Sequence, residues 1–116
     1  MALPAVGTAH DTRFPTNITW GFDPTNGIMP DAFVGYLNLS SGNRDCRPGR
    51  LVKVYRVRPG NDPLIGSDRT DTGGYFVIER NVPAGRYYAK VGAKDLGEGV
   101  HDHLCGGRRT SNLAID

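Results

Sequence analysis

Hydrophobic side chains recur at every second position in several short stretches of the chain, which is the pattern of a half-buried β-strand. The alternating stretches are residues 15–22, 31–39, 50–58, 64–68, 75–78, 87–91 and 108–116. Turn residues separate them, and no stretch repeats its hydrophobic residues at a helical spacing. Seven short strands of this kind predict an all-β fold, an antiparallel β-sandwich in which residues 64–68 form a weak edge strand.

The same alternation predicts which side chains face the core. Residues 50–58 are apolar on both faces, and there we assign Val52 and Val54 to the inside, which leaves Lys53 and Tyr55 outside. The complete predicted core consists of Ile18, Trp20, Phe22, Phe33, Leu37, Leu39, Val52, Val54, Phe76, Ile78, Tyr87, Ala89, Val91, Leu113 and Ile115. We expect residues 69–91 to supply the central pair of strands, because a turn signal precedes each of its two β-branched and aromatic stretches.

Residues 1–14 have no hydrophobic period and are predicted to form an extended N-terminal arm that docks on neighbouring subunits, with the sandwich domain in residues 15–116. The start lacks the basic region of a signal peptide, and Pro4 and Gly7 interrupt its apolar residues. No stretch approaches the roughly 20 apolar residues of a membrane-spanning helix. The sequence therefore predicts one domain without a signal peptide or a membrane span.

The composition is that of a folded globular domain. Of 116 residues, 38% are hydrophobic and 22% are charged, which leaves enough apolar surface for a core. The net charge is only +2, and we therefore expect no general attraction to nucleic acid.

The two cysteines, Cys46 and Cys105, are too far apart in sequence for a CxxC redox motif. They form either one disulfide or two buried thiols. A bridge would close a loop of about 60 residues and stabilise the fold by ~4 kcal/mol in the chain-entropy model. An oxidising compartment favours the bridge, and a cytosol favours the thiols.

Three runs of residues carry a resemblance to a known family. They are Cys46-x-x-x-Arg50-x-Val52-x-Val54-Tyr55-Arg56, Gly66-Ser67-Asp68-x-Thr70-Asp71-x-x-Gly74-x-Phe76-x-Ile78 and Pro83-x-Gly85-x-Tyr87-Tyr88-Ala89-x-Val91. Over residues 16–115 the chain resembles a carboxypeptidase regulatory-like domain, one of the transthyretin-like or Ig-like β-sandwiches. The resemblance implies a non-catalytic module of a secreted or surface protein, and Cys46 and Cys105 match the positions of the family's cysteines.

Two enzymatic alternatives also have a transthyretin-like sandwich. Tyr88, His101 and His103 follow the order of the iron ligands in intradiol dioxygenases, but neither Tyr36 nor Tyr55 matches the first tyrosine of that site. Transthyretin-related hydrolases end in Tyr-Arg-Gly-Ser, whereas this chain ends in Asn-Leu-Ala-Ile-Asp. The sequence contains no phosphate loop and no nucleophile elbow. We therefore expect no catalysis, cofactor or metal.

Two surface features are candidates for binding. A disulfide would gather the arginines that flank the cysteines, namely Arg44, Arg47, Arg50, Arg108 and Arg109, into a patch for an acidic protein surface or an anionic glycan. Three tyrosines, Tyr36, Tyr55 and Tyr88, are candidates for an outer aromatic surface. These features favour a structural or adhesive module of an extracellular assembly, such as a capsid decoration or tail protein on a phage virion surface. The alternative is a secreted ligand-binding or carbohydrate-binding domain.

Overall fold

The computed structural model of the chain describes residues 12–24, 30–38, 44–96 and 103–116. The strands in this part of the chain are β1 (Thr12–Phe14), β2 (Asn17–Asp23), β3 (Ala32–Asn38), β4 (Leu51–Arg56), β5 (Leu64–Arg69), β6 (Tyr75–Glu79), β7 (Gly85–Val91), β8 (Lys94–Asp95), β9 (His103–Cys105), β10 (Arg108–Arg109) and β11 (Leu113–Ile115). Apart from a 3₁₀ turn over Arg44–Cys46, these ranges contain no helix. The prediction of an all-β fold is confirmed, although the described residues form eleven strands instead of seven.

The strands form three sheets. The sheet that we call the three-stranded sheet has the order β2-β3-β6. The large sheet has the order β10-β7-β4-β5, with β11 also paired to β7. All strand pairs in these two sheets are antiparallel. A small end sheet has the order β1-β9-β8, in which β1 runs parallel to β9. As predicted, β5 lies at an edge. No helix in the described ranges is long and apolar enough to cross a membrane.

The main core lies between the three-stranded sheet and the large sheet. Its buried residues are Phe33, Leu37, Phe76 and Ile78 from the first, and Val52, Val54, Tyr87, Ala89 and Val91 from the second. The rings of Phe33 and Tyr87 meet across the interface, with their centroids 5.5 Å apart. This packing of two sheets is consistent with a β-sandwich. The inside and outside assignment of β4 is confirmed, and Leu39 lies outside the described residues.

The remaining predicted core residues pack against the margin of this core. They are Ile18, Trp20, Phe22, Leu113 and Ile115, all partly buried. Gly35 makes room for the side chains of Trp20 and Phe76, because a Cβ at this position would lie 2.7 Å from Trp20 Cβ and 2.8 Å from Phe76 Cζ. Only glycine therefore fits where these side chains cross β3.

The two strands of residues 69–91 do not pair with each other. β6 is hydrogen-bonded to β3 in the three-stranded sheet, and β7 is hydrogen-bonded to β4 in the large sheet. The connection between them crosses from one sheet to the other, and the Tyr87 hydroxyl donates a hydrogen bond of 2.6 Å to the Pro83 carbonyl at this crossing. The expected central pair is instead a pair of facing strands, one in each sheet.

The predicted last strand, residues 108–116, is divided into β10 and β11, which both pair with β7. Thr110 lies between them and makes two hydrogen bonds to Ala89: its N–H donates to the Ala89 carbonyl, and its hydroxyl accepts the Ala89 N–H. Because a side-chain oxygen replaces a backbone carbonyl here, the regular ladder is interrupted at this residue.

The last three residues of the predicted arm take part in the fold. Strand β1 pairs with β9, Phe14 packs against the disulfide, and its carbonyl accepts the Gly106 N–H at 2.8 Å. The rest of the predicted arm, residues 1–11, lies outside the described residues.

Candidate functional site

The disulfide end of the molecule is organised by a buried arginine. Cys46 and Cys105 form the disulfide, with their Cα atoms 5.6 Å apart. The guanidinium of Arg50, which is only 2% exposed, donates to the carbonyls of Cys46, Gly92 and Gly106 at 2.8, 2.8 and 3.0 Å. Burial lowers the pKa of Arg50 below its ordinary value, although an arginine stays charged at neutral pH. Arg50 therefore connects three segments of backbone.

The five arginines predicted to form one patch are not brought together. Arg50 is buried, and its donors are used within the fold, so it is not part of a contact surface. Arg108 borders a groove beside β2, whereas the Arg109 guanidinium lies 3.7 Å from the centre of the Tyr88 ring. Arg47 is half-buried, and the Arg44 side chain lies outside the described residues. Successive residues of a strand point to opposite faces, which separates Arg108 from Arg109.

The three predicted surface tyrosines belong to two different faces. Tyr55 stacks on Tyr88 on the outer face of the large sheet, with the ring centroids 5.3 Å apart. Tyr36 lies on the three-stranded sheet, and its ring centroid is 5.5 Å from that of Tyr75. The predicted aromatic surface is therefore two separate pairs of rings, and the prediction was wrong for Tyr88, which is buried and only 7% exposed.

The first pair continues into a short polar chain. The Tyr88 hydroxyl donates to Asp62 Oδ2 at 2.9 Å, and the Arg58 N–H donates to Asp62 Oδ1 at 2.9 Å. These two hydrogen bonds, led by the one from Arg58, lower the pKa of Asp62. Burial, and after it the bond to Asp62, raises the pKa of Tyr88. Asp62 and Tyr88 thus hold the turn before β5 against the outer face of the large sheet.

The ordinary pKa of tyrosine is about 10, and we expect Tyr88 to titrate above it. Because the folded-state pKa is raised, the contribution of Tyr88 to stability is complete below about pH 10 and is lost as the pH rises through the folded-state pKa. The measurement is a ¹³C NMR titration of Tyr88 Cζ. Asp62→Asn should lower the titration midpoint because it removes the neighbouring negative charge. The control is Asp23→Asn, which lies on β2 in the three-stranded sheet. An equal shift in both variants would contradict the hydrogen bond between Tyr88 and Asp62 as the cause.

The outer face of the three-stranded sheet is apolar. Four side chains form this apolar face, namely Val34, Tyr36, Tyr75 and Val77, with exposures of 36, 39, 58 and 52%. They are two directly opposite cross-strand pairs on β3 and β6. In the described part of the chain, one other large hydrophobic side chain, Leu64, is exposed. Such a concentration on one face is typical of a protein contact surface.

Two carboxylates cap the adjacent edge of this sheet. Asp68 accepts the Val77 N–H and Asp71 accepts the Tyr75 N–H, both at 2.9 Å. These donors point away from β3 and would otherwise be open to another strand. A partner strand therefore cannot extend the sheet at β6 without displacing both carboxylates, and the face remains the accessible surface.

The large sheet bears a basic cleft on its outer face, with a volume of about 470 Å³. The cation cleft, as we call it, includes four cations besides the buried Arg50, namely Lys53, Arg69, Lys90 and Lys94, and one wall contains Tyr55. The chain has only three lysines, and all of them line this cleft. The sequence did not reveal this grouping, because Lys53 and Lys90 are far apart in the chain and become neighbours only through the register of β4 and β7.

The iron hypothesis concerns two histidines, His101 and His103, together with Tyr88. His101 lies outside the described residues, and only the backbone of His103 is described. Within the described ranges, no three His, Cys, Asp or Glu residues are grouped as a metal site would need. Tyr88, the third residue of that hypothesis, makes the contacts to Asp62, Tyr55 and Arg109 given above.

No family model, no curated protein and no solved structure matches this chain. The resemblance to carboxypeptidase regulatory-like domains therefore remains a prediction from the sequence. The candidate binding surfaces of the described residues are the apolar face and the cation cleft.

Proposed function

We propose that this chain is a non-catalytic structural and adhesive module, a subunit of an extracellular assembly such as a phage virion, where it serves as a capsid decoration or tail protein. The observation that carries the proposal is the apolar face. Its four exposed side chains are valine and tyrosine, which bury large apolar areas at little conformational cost. The disulfide supports an extracellular location, because such bonds persist in oxidising compartments.

The fold that we infer for this module is an Ig-like or transthyretin-like sandwich with seven principal strands. Its support is the crossing between β6 and β7, where the Tyr87 hydroxyl bonds the carbonyl four residues upstream. Tyrosine corners of this kind occur where a strand passes between the sheets of Greek-key sandwiches.

The occupant of the apolar face in this proposal is a second copy of the chain. A two-fold axis would bring Val34, Tyr36, Tyr75 and Val77 of one copy against the same residues of the other, and none of these side chains carries a charge that would repel its mate. The carboxylates of Asp68 and Asp71 disfavour edge-to-edge association. The two copies would therefore pack face to face.

We expect Val77→Lys to abolish self-association of the full chain, because it places a charge in the middle of the apolar interface. The matched control is Leu64→Lys, since Leu64 is also 52% exposed but lies on the large sheet. Sedimentation velocity over a concentration series is the measurement. A wild-type chain that stays monomeric at high concentration, or a Val77→Lys chain that associates like the wild type, would contradict the proposal.

The N-terminal arm is the second contact in the proposed assembly. Because Thr12–Phe14 pairs with β9, the deletion that retains this strand is residues 1–11. In the proposed role, this deletion leaves a folded domain that no longer enters the assembly, whereas retained incorporation would count against docking through the arm.

A second candidate function, a secreted ligand-binding or carbohydrate-binding domain, is favoured by the cation cleft. Its four cations and one aromatic wall are grouped in a concave surface whose volume is in the range of small-ligand sites. The cleft and the apolar face are on different sheets, so the two functions can be tested separately.

A further inference from the structure

We propose that the cation cleft binds an acidic sugar, a pyranose ring that carries a carboxylate or a sulfate. This inference rests on the second candidate function and gives its ligand class. The first support is the composition of the cleft. None of the described residues that line it carries a carboxylate, although acidic residues are almost as common in the chain as basic ones. An acidic group placed in the cleft would therefore meet cations from β4, β5 and β7 and from β8.

The second support is the register of the strands. Lys53 is directly opposite Lys90, and Lys90 is directly opposite Arg109, so three cations form a row across β4, β7 and β10. All three point outward, because the alternating residues of β4 and β7 are in the core. Like charges directly opposite each other on neighbouring strands destabilise a sheet. A bound anion would relieve this repulsion, and binding therefore gains from an arrangement that is unfavourable in the free protein.

The third support is that the rim of the cleft is held in place. Lys94 Nζ donates to the Pro48 carbonyl at 3.1 Å, and the Arg69 guanidinium donates to the Gly49 carbonyl at 3.1 Å. Each of these groups retains further donors beyond that bond. Little side-chain freedom would be lost at the rim on binding, which favours affinity.

Tyr55 distinguishes a sugar from other anions. Its ring stacks on the ring of Tyr88, and the Arg109 guanidinium lies over the Tyr88 ring. These contacts hold the Tyr55 ring in position as one wall of the cleft. The C–H face of a pyranose is apolar and packs well on such a wall, while its acidic substituent reaches Lys53 and Lys90. A nucleic acid would need a longer track of phosphate contacts than a compact cleft on a domain of net charge +2 offers.

The experiment measures binding of the full chain to five defined probes at low ionic strength by isothermal titration calorimetry. The probes are polygalacturonate, dextran sulfate, neutral dextran, polyglutamate and a single-stranded DNA oligonucleotide. We expect polygalacturonate or dextran sulfate to bind, and the stronger of the two identifies the carboxylate or the sulfate as the acidic group. Neutral dextran should not bind, and polyglutamate and the oligonucleotide should bind more weakly than the preferred acidic polysaccharide.

Two sets of variants locate the site. Lys53→Glu/Lys90→Glu should weaken polysaccharide binding about tenfold or more, since two charge-assisted contacts are lost. The control Arg58→Glu/Arg80→Glu makes the same change in net charge at exposed turn positions outside the cleft and should bind like the wild type. Tyr55→Leu keeps every charge and should weaken binding of the polysaccharide but not of polyglutamate.

Four results would overturn the proposal: no binding of either acidic polysaccharide, equal loss in both double variants, tighter binding of polyglutamate or DNA, or no effect of Tyr55→Leu. The outcome is separate from that of the proposed self-association. Val77→Lys, which tests the apolar face, should leave polysaccharide binding unchanged, and the cleft variants should leave self-association unchanged.

Discussion

Arg50→Met is expected to lower the free energy of unfolding by about 3 kcal/mol or more, because it leaves the buried carbonyls of Cys46 and Gly106 and the partly buried carbonyl of Gly92 without a donor. The Arg50 guanidinium bonds the carbonyls of Cys46, Gly92 and Gly106, and Met fills a similar volume but donates no hydrogen bond. Each buried acceptor left unpaired costs about 1–3 kcal/mol, and partial entry of water reduces the sum. Urea unfolding followed by the fluorescence of Trp20, the one tryptophan of the chain, measures the loss.

Two further variants show whether the cause is the hydrogen bonding. Arg50→Lys keeps the charge, but one ammonium group cannot reach carbonyls on three separate segments, so we expect a smaller loss that is still clear. Arg108→Met removes an exposed arginine and should change stability by no more than about 0.5 kcal/mol. If Arg50→Met costs as little as Arg108→Met, the guanidinium does not hold the three segments together.

The role of Arg50 illustrates what a sequence pattern cannot supply. From the sequence, Arg50 was one of several charges near Cys46, and charges are usually solvated. Its burial depends on Gly92 and Gly106, which are more than forty residues away and come close only when β4 and β7 have paired and the disulfide has formed. Alternation along one strand reports which side a residue faces, but it contains no information on partners from other strands.

The parts of the fold that could be predicted are those governed by local alternation. Val52 and Val54 face the core because every second residue of β4 points inward, and the same holds for Tyr87, Ala89 and Val91 of β7. Sheet membership was not predictable in the same way: β6 and β7 are close in sequence, yet each pairs with a different sheet. The residues of the candidate sites come together only through the pairing of strands within each sheet. Lys53 was assigned to the outside, but its position opposite Lys90 depends on the pairing of β4 with β7.

Reduction of the disulfide is expected to lower the free energy of unfolding by ~4 kcal/mol, because the bond joins residues 59 positions apart and restricts the unfolded chain. Cys46→Ala/Cys105→Ala should show a similar loss. Urea unfolding with and without a phosphine reductant measures it. The double variant is also the control for the reductant, since its stability should not change when the reductant is added. An equally stable reduced wild-type chain would contradict the prediction.

Loss of the disulfide should also destabilise some strands more than others. Cys46 and Cys105 form a cluster of their own with Phe14 and Leu96, separate from the main core between the sheets. Hydrogen exchange of the reduced protein should therefore rise first in β1, β8 and β9, while β4 and β7 retain the highest protection. Because Arg50 bonds the carbonyl of Cys46 and that of Gly106, next to Cys105, the two anchors hold the same segments. Combining Arg50→Met with the double alanine variant should consequently cost less than the sum of the separate losses, since neighbouring groups that stabilise one unit are not additive.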